Sequence, residues 1–77
     1  MSLEEATRQL QSALHDAQVA FDCVGLGDLE NAHTHVLTAR VAVDSAETTL
    51  RTALERMSPD EAEREGEKAV AALEEQI

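Results

Sequence analysis

Seventy-seven residues allow one small domain, whose single core is thermodynamically marginal. Hydrophobic residues make up 43%, mostly Ala, Leu and Val, with Phe21 the sole aromatic; that suits helices and argues against a sheet, which draws on β-branched and aromatic side chains. Sixteen acids against six bases leave a net charge of −10, a field that repels nucleic-acid phosphates and anionic lipid, and no aromatic platform exists for stacking bases.

Among the bases only Lys68 is a lysine. An acidic, lysine-poor surface fits a salt-adapted cytosol, in which dense carboxylates hold water; a GC-rich coding bias gives the same pattern. Cys23 stands alone, so no intramolecular disulfide forms, as expected of an intracellular chain. The opening MSLEEATRQL is acidic and lacks the apolar run of a signal peptide. No stretch approaches the ~20 apolar residues of a membrane span. The expectation is a soluble, cytoplasmic protein.

The first helix is expected over about residues 3–24. Ser2-Leu3-Glu4-Glu5 has the form of a capping box, with Ser2 accepting from the Glu5 N–H. Leu3, Ala6, Leu10, Ala13, Ala17, Ala20 and Val24 then recur at alternating spacings of 3 and 4, a heptad seam flanked by Leu14 and Phe21. Gly25 is placed to stop the helix in a left-handed conformation, with Leu26 packing back on it.

Asp28 is the expected N-cap of a second helix over 29–57. Its seam is Leu29, Ala32, Val36, Ala39, Val43, Ala46, Leu50, Ala53 and Met57, without a slip. Larger residues stand mainly at a and alanines at d, so the two backbones can approach closely. With only Gly25 to Gly27 between them, the helices must fold back antiparallel.

Ser58-Pro59-Asp60-Glu61 starts a third helix over 59–77: serine caps, proline fits the first turn and the acids oppose the positive helix end. Gly66 interrupts it, and Glu74 and Glu75 sit at the unfavourable end. Ala62, Ala69, Val70, Leu73 and Ile77 give a modest apolar stripe. The segment is either a docked helix or a mobile acidic arm, and the docked helix is preferred. Leu14, Phe21, Leu37, Val41 and Leu54 lie off the seams. They are therefore the candidate interface residues, to be covered by helix three, by a second copy or by another helical protein.

Three features of VGLGDLENAHTH, residues 24–35, invite chemistry. Glu30-x-x-His33 has the i, i+3 spacing used in ferritin-like di-iron bundles, which makes these two residues the alternative metal ligands. They fall beside the seam, and the facing stretch of helix one offers Gln18 and Phe21, with no carboxylate. His15, His33 and His35 point along different flanks, so four converging zinc ligands are not expected, although Cys23 could approach one of them. Gly25-Leu26-Gly27 has neither a strand before it nor a lysine after it, unlike a nucleotide loop.

Ala32-His33-Thr34-His35-Val36-Leu37-Thr38-Ala39 resembles the segment around the phospho-accepting histidine of histidine phosphotransfer domains. The resemblance implies that role for His35 and a four-helix bundle, but Thr38 and Ala39 stand where those domains carry lysine and glycine. Gly27 to Ala32, followed by Val36 and Ala39, resembles in shape the turn and second helix of a tetratricopeptide unit, with no second repeat present.

No nucleophile, base and orienting group can be assembled. The expected protein is all-α: a long antiparallel hairpin plus a shorter third helix, a three-helix bundle dimerising into a larger one. It is expected to need no cofactor, to be no enzyme and to bind no nucleic acid or membrane. Its expected role is a non-catalytic oligomerising or protein–protein interaction module.

Overall fold

The computed structural model describes residues 2–75. It contains three helices, α1 (Glu4–Gly25), α2 (Leu29–Arg56) and α3 (Pro59–Glu74), and is all-α, with no strand among the described residues. The expected ends agree within one residue, except that α3 stops at Glu74; Gln76 and Ile77 lie outside the described residues.

Each helix begins where a side chain can satisfy an otherwise orphaned backbone donor. Asp28 caps α2 by accepting from Asn31 N–H at 3.2 Å. Ser58 caps α3 by accepting from Glu61 N–H at 3.2 Å, with Pro59 in the first turn. At α1 the expected capping box is replaced by a shorter bond. Ser2 Oγ accepts from Glu4 N–H at 3.1 Å, and the Glu5 carboxylate turns to Arg8 and Gln9 instead of reaching back.

The turn between α1 and α2 also differs from expectation. Gly25 is helical, Leu26 follows in the right-handed region, and the left-handed residue is Gly27 at φ 73°. Gly27 N–H donates to the Val24 carbonyl at 3.0 Å, and Asp28 N–H donates to the Cys23 carbonyl at 2.9 Å. These are the two bonds of a Schellman closure, with Gly27 as its C′ residue. Asp28 thus closes one helix with its N–H and opens the next with its carboxylate. Leu26, expected to pack back on α1, is instead exposed.

The hairpin is held along a line of methyl groups. The buried hydrophobic residues are Ala6, Ala13 and Ala20 of α1, Ala32, Ala46 and Ala53 of α2, and Ala69 of α3. All but Ala69 are d positions of the expected seams. The partners expected at a are not buried with them: Leu10, Val24, Leu29, Val36, Val43 and Leu50 are exposed.

The physical reason is size. An alanine line lets the axes close to the short end of the about 8–10 Å range for packed helices. A Leu or Val inserted between them at every second position would hold the alanines apart.

The α3 helix packs on α1 rather than on α2. A methyl group added at Gly66 would lie 3.9 Å from Leu3 Cδ1, so the interrupting glycine sits over the start of α1. The preferred reading of α3 as a docked helix therefore agrees with the structure. The α-carbon envelope measures 46 × 27 × 13 Å. A helix backbone is about 5 Å across, so the thin direction accommodates at most two helices. Among the described residues no large side chain is fully enclosed.

Candidate interaction face

The alanine line divides the surface of the hairpin into two faces of opposite character. On α1 and α2 alike, residues three beyond an alanine fall to one side of the line and residues four beyond it fall to the other. The +3 positions include Gln9 and Asp16 on α1 and His35 and Thr49 on α2. They meet in pairs across the hairpin. His35 Nδ1 and Asp16 Oδ1 are 3.0 Å apart, and Thr49 Oγ1 donates to Gln9 Oε1 at 3.0 Å.

Asp16 is the only buried charged residue among those described, and no buried side-chain polar atom among them lacks a partner. The apolar seam gives no hint of this polar side. By the seam His35 falls on a flank without a structural duty, whereas it provides the cross-helix partner of a buried carboxylate. A signal for it exists in the sequence: Ala6, Gln9, Ala13, Asp16, Ala20 and Cys23 also alternate at 3 and 4. An apolar count passes over such a frame because its members are polar or small.

The +4 positions carry Leu10, Ala17 and Val24 on α1 and Val36, Val43 and Leu50 on α2. In an antiparallel pair the two sets share one face, as the two polar sets share the other. Leu10 and Val43 both fall between the two polar cross-links in sequence. Phe21 and Leu54 widen this apolar face, with 75% and 83% of their surfaces exposed.

The other predicted interface residues, Leu14, Leu37 and Val41, are exposed as well, but not all on this face. Leu37 and Val41 lie about 140° and 180° around α2 from Ala32, along its outer side.

At the open end of the hairpin the face runs into a groove of about 660 Å³ beside the α2–α3 junction, lined by Leu3, Leu50, Leu54, Met57, Pro59 and Ala62, among others. Leu3 and Met57, the terminal members of the expected seams, are half-buried here.

The candidate ligands fall elsewhere. Glu30 and His33 are exposed, and among the described residues no three His, Cys, Asp or Glu side chains converge as a metal site. His15 is exposed and Cys23 is a free, half-buried thiol. Near the turn, the Asn31 side-chain amide and backbone N–H both donate to Asp28, which lowers the Asp28 carboxyl pKa from its usual value. That stabilises the α2 start and supplies no ligand.

The fold and its surface define a class: an alanine-packed helical hairpin, braced by a third helix, with one polar and one apolar face. No helix of the described residues is long and apolar enough to cross a membrane. No protein-family model matches the chain, and comparison with curated proteins and with solved structures finds no similar protein.

Proposed function

We propose that this chain is a non-catalytic interaction module that works by presenting its apolar face to another helical surface, its own copy included. One observation carries the reading. The residues best able to form a core, from Leu10 and Phe21 to Leu50 and Leu54, are exposed on one face, while alanines form the interior.

A monomer rarely leaves a large contiguous apolar patch in water, because burying such surface is worth about 25 cal/mol per Å². The polar side, in contrast, has its buried groups paired within the chain and needs no partner. In a cell whose cytosol is rich in salt, the acidic exterior would keep such a module hydrated while its apolar face associates.

Sedimentation velocity over a wide protein concentration range tests the reading. Self-association, with weakening on Val43→Asp at the centre of the face, is the expected outcome. A folded monomer at every concentration, combined with no binding of an apolar environment-sensitive dye, would refute it.

A further inference from the structure

We propose that a second copy of this chain covers the apolar face, antiparallel to the first, with Phe21 of each copy seated in the groove of the other. This rests on the interaction-module reading and names its partner and register. The exposed area calls for such a cover. The chain exposes 5638 Å², whereas a compact monomer of 8.3 kDa would expose about 4,600 Å². The surplus of about 1,000 Å² is of the size one partner gives up in a standard stable interface, about 800 Å². The radius of gyration, 14.8 Å, likewise exceeds the about 11.5 Å of a compact chain of this length.

Bulk and space also lie at opposite ends of the face. Phe21 stands at the closed end of the hairpin with Val24 and Leu29, all exposed. The groove lies at the open end. A parallel stack would set Phe21 against Phe21 and leave the groove unfilled. A two-fold axis across the middle of the face, near Leu10 and Val43, exchanges the ends instead.

The register agrees with this. Phe21 stands eleven residues beyond Leu10, and Leu54, on the groove, stands eleven beyond Val43. At about 1.5 Å per residue both are about 16 Å from the axis, in opposite directions because the helices run opposite ways. Such a pair is isologous and closed, each copy giving one aromatic and receiving one.

On α1 little charge opposes contact at the centre. Between Gln9 and Phe21 the titratable side chains are His15 and Asp16, and Asp16 is turned to the polar side and held by His35; on α2, Arg40 and Glu47 flank Val43 with opposite charges.

A disulfide test reads this register directly. In a Cys23→Ser background, Phe21→Cys and Leu54→Cys place thiols roughly 30 Å apart along one hairpin, far beyond the about 7 Å limit for Cα atoms in a disulfide. Any bond between them therefore joins two chains. Mild oxidation should convert the double-cysteine protein into a doubly linked dimer, and neither single-cysteine protein should link.

Linking by the single-cysteine proteins, or a ladder of higher oligomers, would overturn the antiparallel pair. So would a sedimenting dimer that does not link. Those results leave the interaction module standing; a monomer of the unaltered protein at all concentrations removes the pair, and removes the module as well when no apolar dye binds.

Phe21→Trp, which keeps the aromatic bulk, gives a readout independent of the cysteines in a chain without Trp or Tyr. Its emission should shift to the blue as the dimer forms. A dimer in which the introduced indole still emits as a solvated one would overturn the seat in the groove.

Discussion

The pairing of Asp16 with His35 sets the stakes for single side chains here. A carboxylate buried beside an alanine line costs free energy unless its acceptor capacity is used, and the partner in contact is the His35 imidazole at 3.0 Å. Replacing His35 with Ala should lower stability by about 1–3 kcal/mol, the usual penalty for orphaning a buried polar group. Removing both with Asp16→Ala and His35→Ala should recover part of that loss. A double-mutant cycle by urea unfolding measures the coupling, and strictly additive losses would show that the pair is not coupled. Asp28 makes a prediction about pH. Its folded-state pKa lies below the ordinary value of 3.8, first because of the Asn31 side-chain bond and then because of the Asn31 backbone bond. The ionised form is therefore favoured in the folded state. The stability this contributes is present above pH 3.8 and is lost as pH falls from there through the depressed folded value. Asp28→Asn keeps a good cap without the titrating group. Relative to it, the unaltered protein should lose thermal stability below about pH 4; parallel melting curves for the two proteins would contradict this.

At the scale of the elements, the two glycines of the turn should respond to substitution with opposite signs. Gly25 is helical and has open space where a methyl would go, whereas Gly27 holds φ at +73°. Gly25→Ala should stabilise by about 0.5–1 kcal/mol, and Gly27→Ala should destabilise by about 1–2 kcal/mol. Chemical denaturation of both variants checks the pair, and equal effects would mean that the closure is not built on Gly27. The alanine line makes a second demand. Ala46 is 1% exposed, so Ala46→Leu must push α1 and α2 apart and should cost about 1–3 kcal/mol by overpacking. A shift of the urea midpoint measures it, and an unchanged midpoint would show that the line is loosely packed. These cases also show what the sequence disclosed. The helices, the Asp28 and Ser58 caps, the antiparallel hairpin and the alanine positions were legible because capping chemistry and a 3/4 repeat are local signals. The side on which each helix turns its larger residues was not. Two heptad frames share the same alanines, and an apolar count prefers the frame of Leu10 and Val43. Close approach of two backbones instead favours the frame of Asp16 and His35. The five predicted interface residues stand out by their surplus apolar character, but separating Phe21 and Leu54 from Leu37 and Val41 requires knowing that the alanine line faces the partner helix.

For the whole molecule the governing opposition is between an apolar face that seeks cover and a charge of −10 that repels a like partner. Short-range ion pairs do little to change that balance. Arg8 with Glu4 and Glu5, Arg51 with Glu47, and Lys68 with Glu65 are all local pairs within one helix, of a kind worth about 0.3–0.5 kcal/mol each. The repulsion between copies acts over longer distances and is therefore more sensitive to salt. Raising the salt from about 0.01 M to about 1 M shortens the screening length from about 30 Å to about 3 Å, less than the thickness of the hairpin. Apolar burial is not weakened by that change, so association and helix content should rise together across the range. Circular dichroism at fixed protein concentration should show increasing helicity, and sedimentation should show a shift from monomer to dimer. The two midpoints should coincide, because an alanine interior gives the isolated hairpin little stability of its own. Helicity that rises with salt while the protein stays monomeric would mean that the charge opposes folding rather than pairing. A monomer–dimer balance indifferent to salt would mean that the −10 charge is distributed too far from the apolar face to govern its contacts.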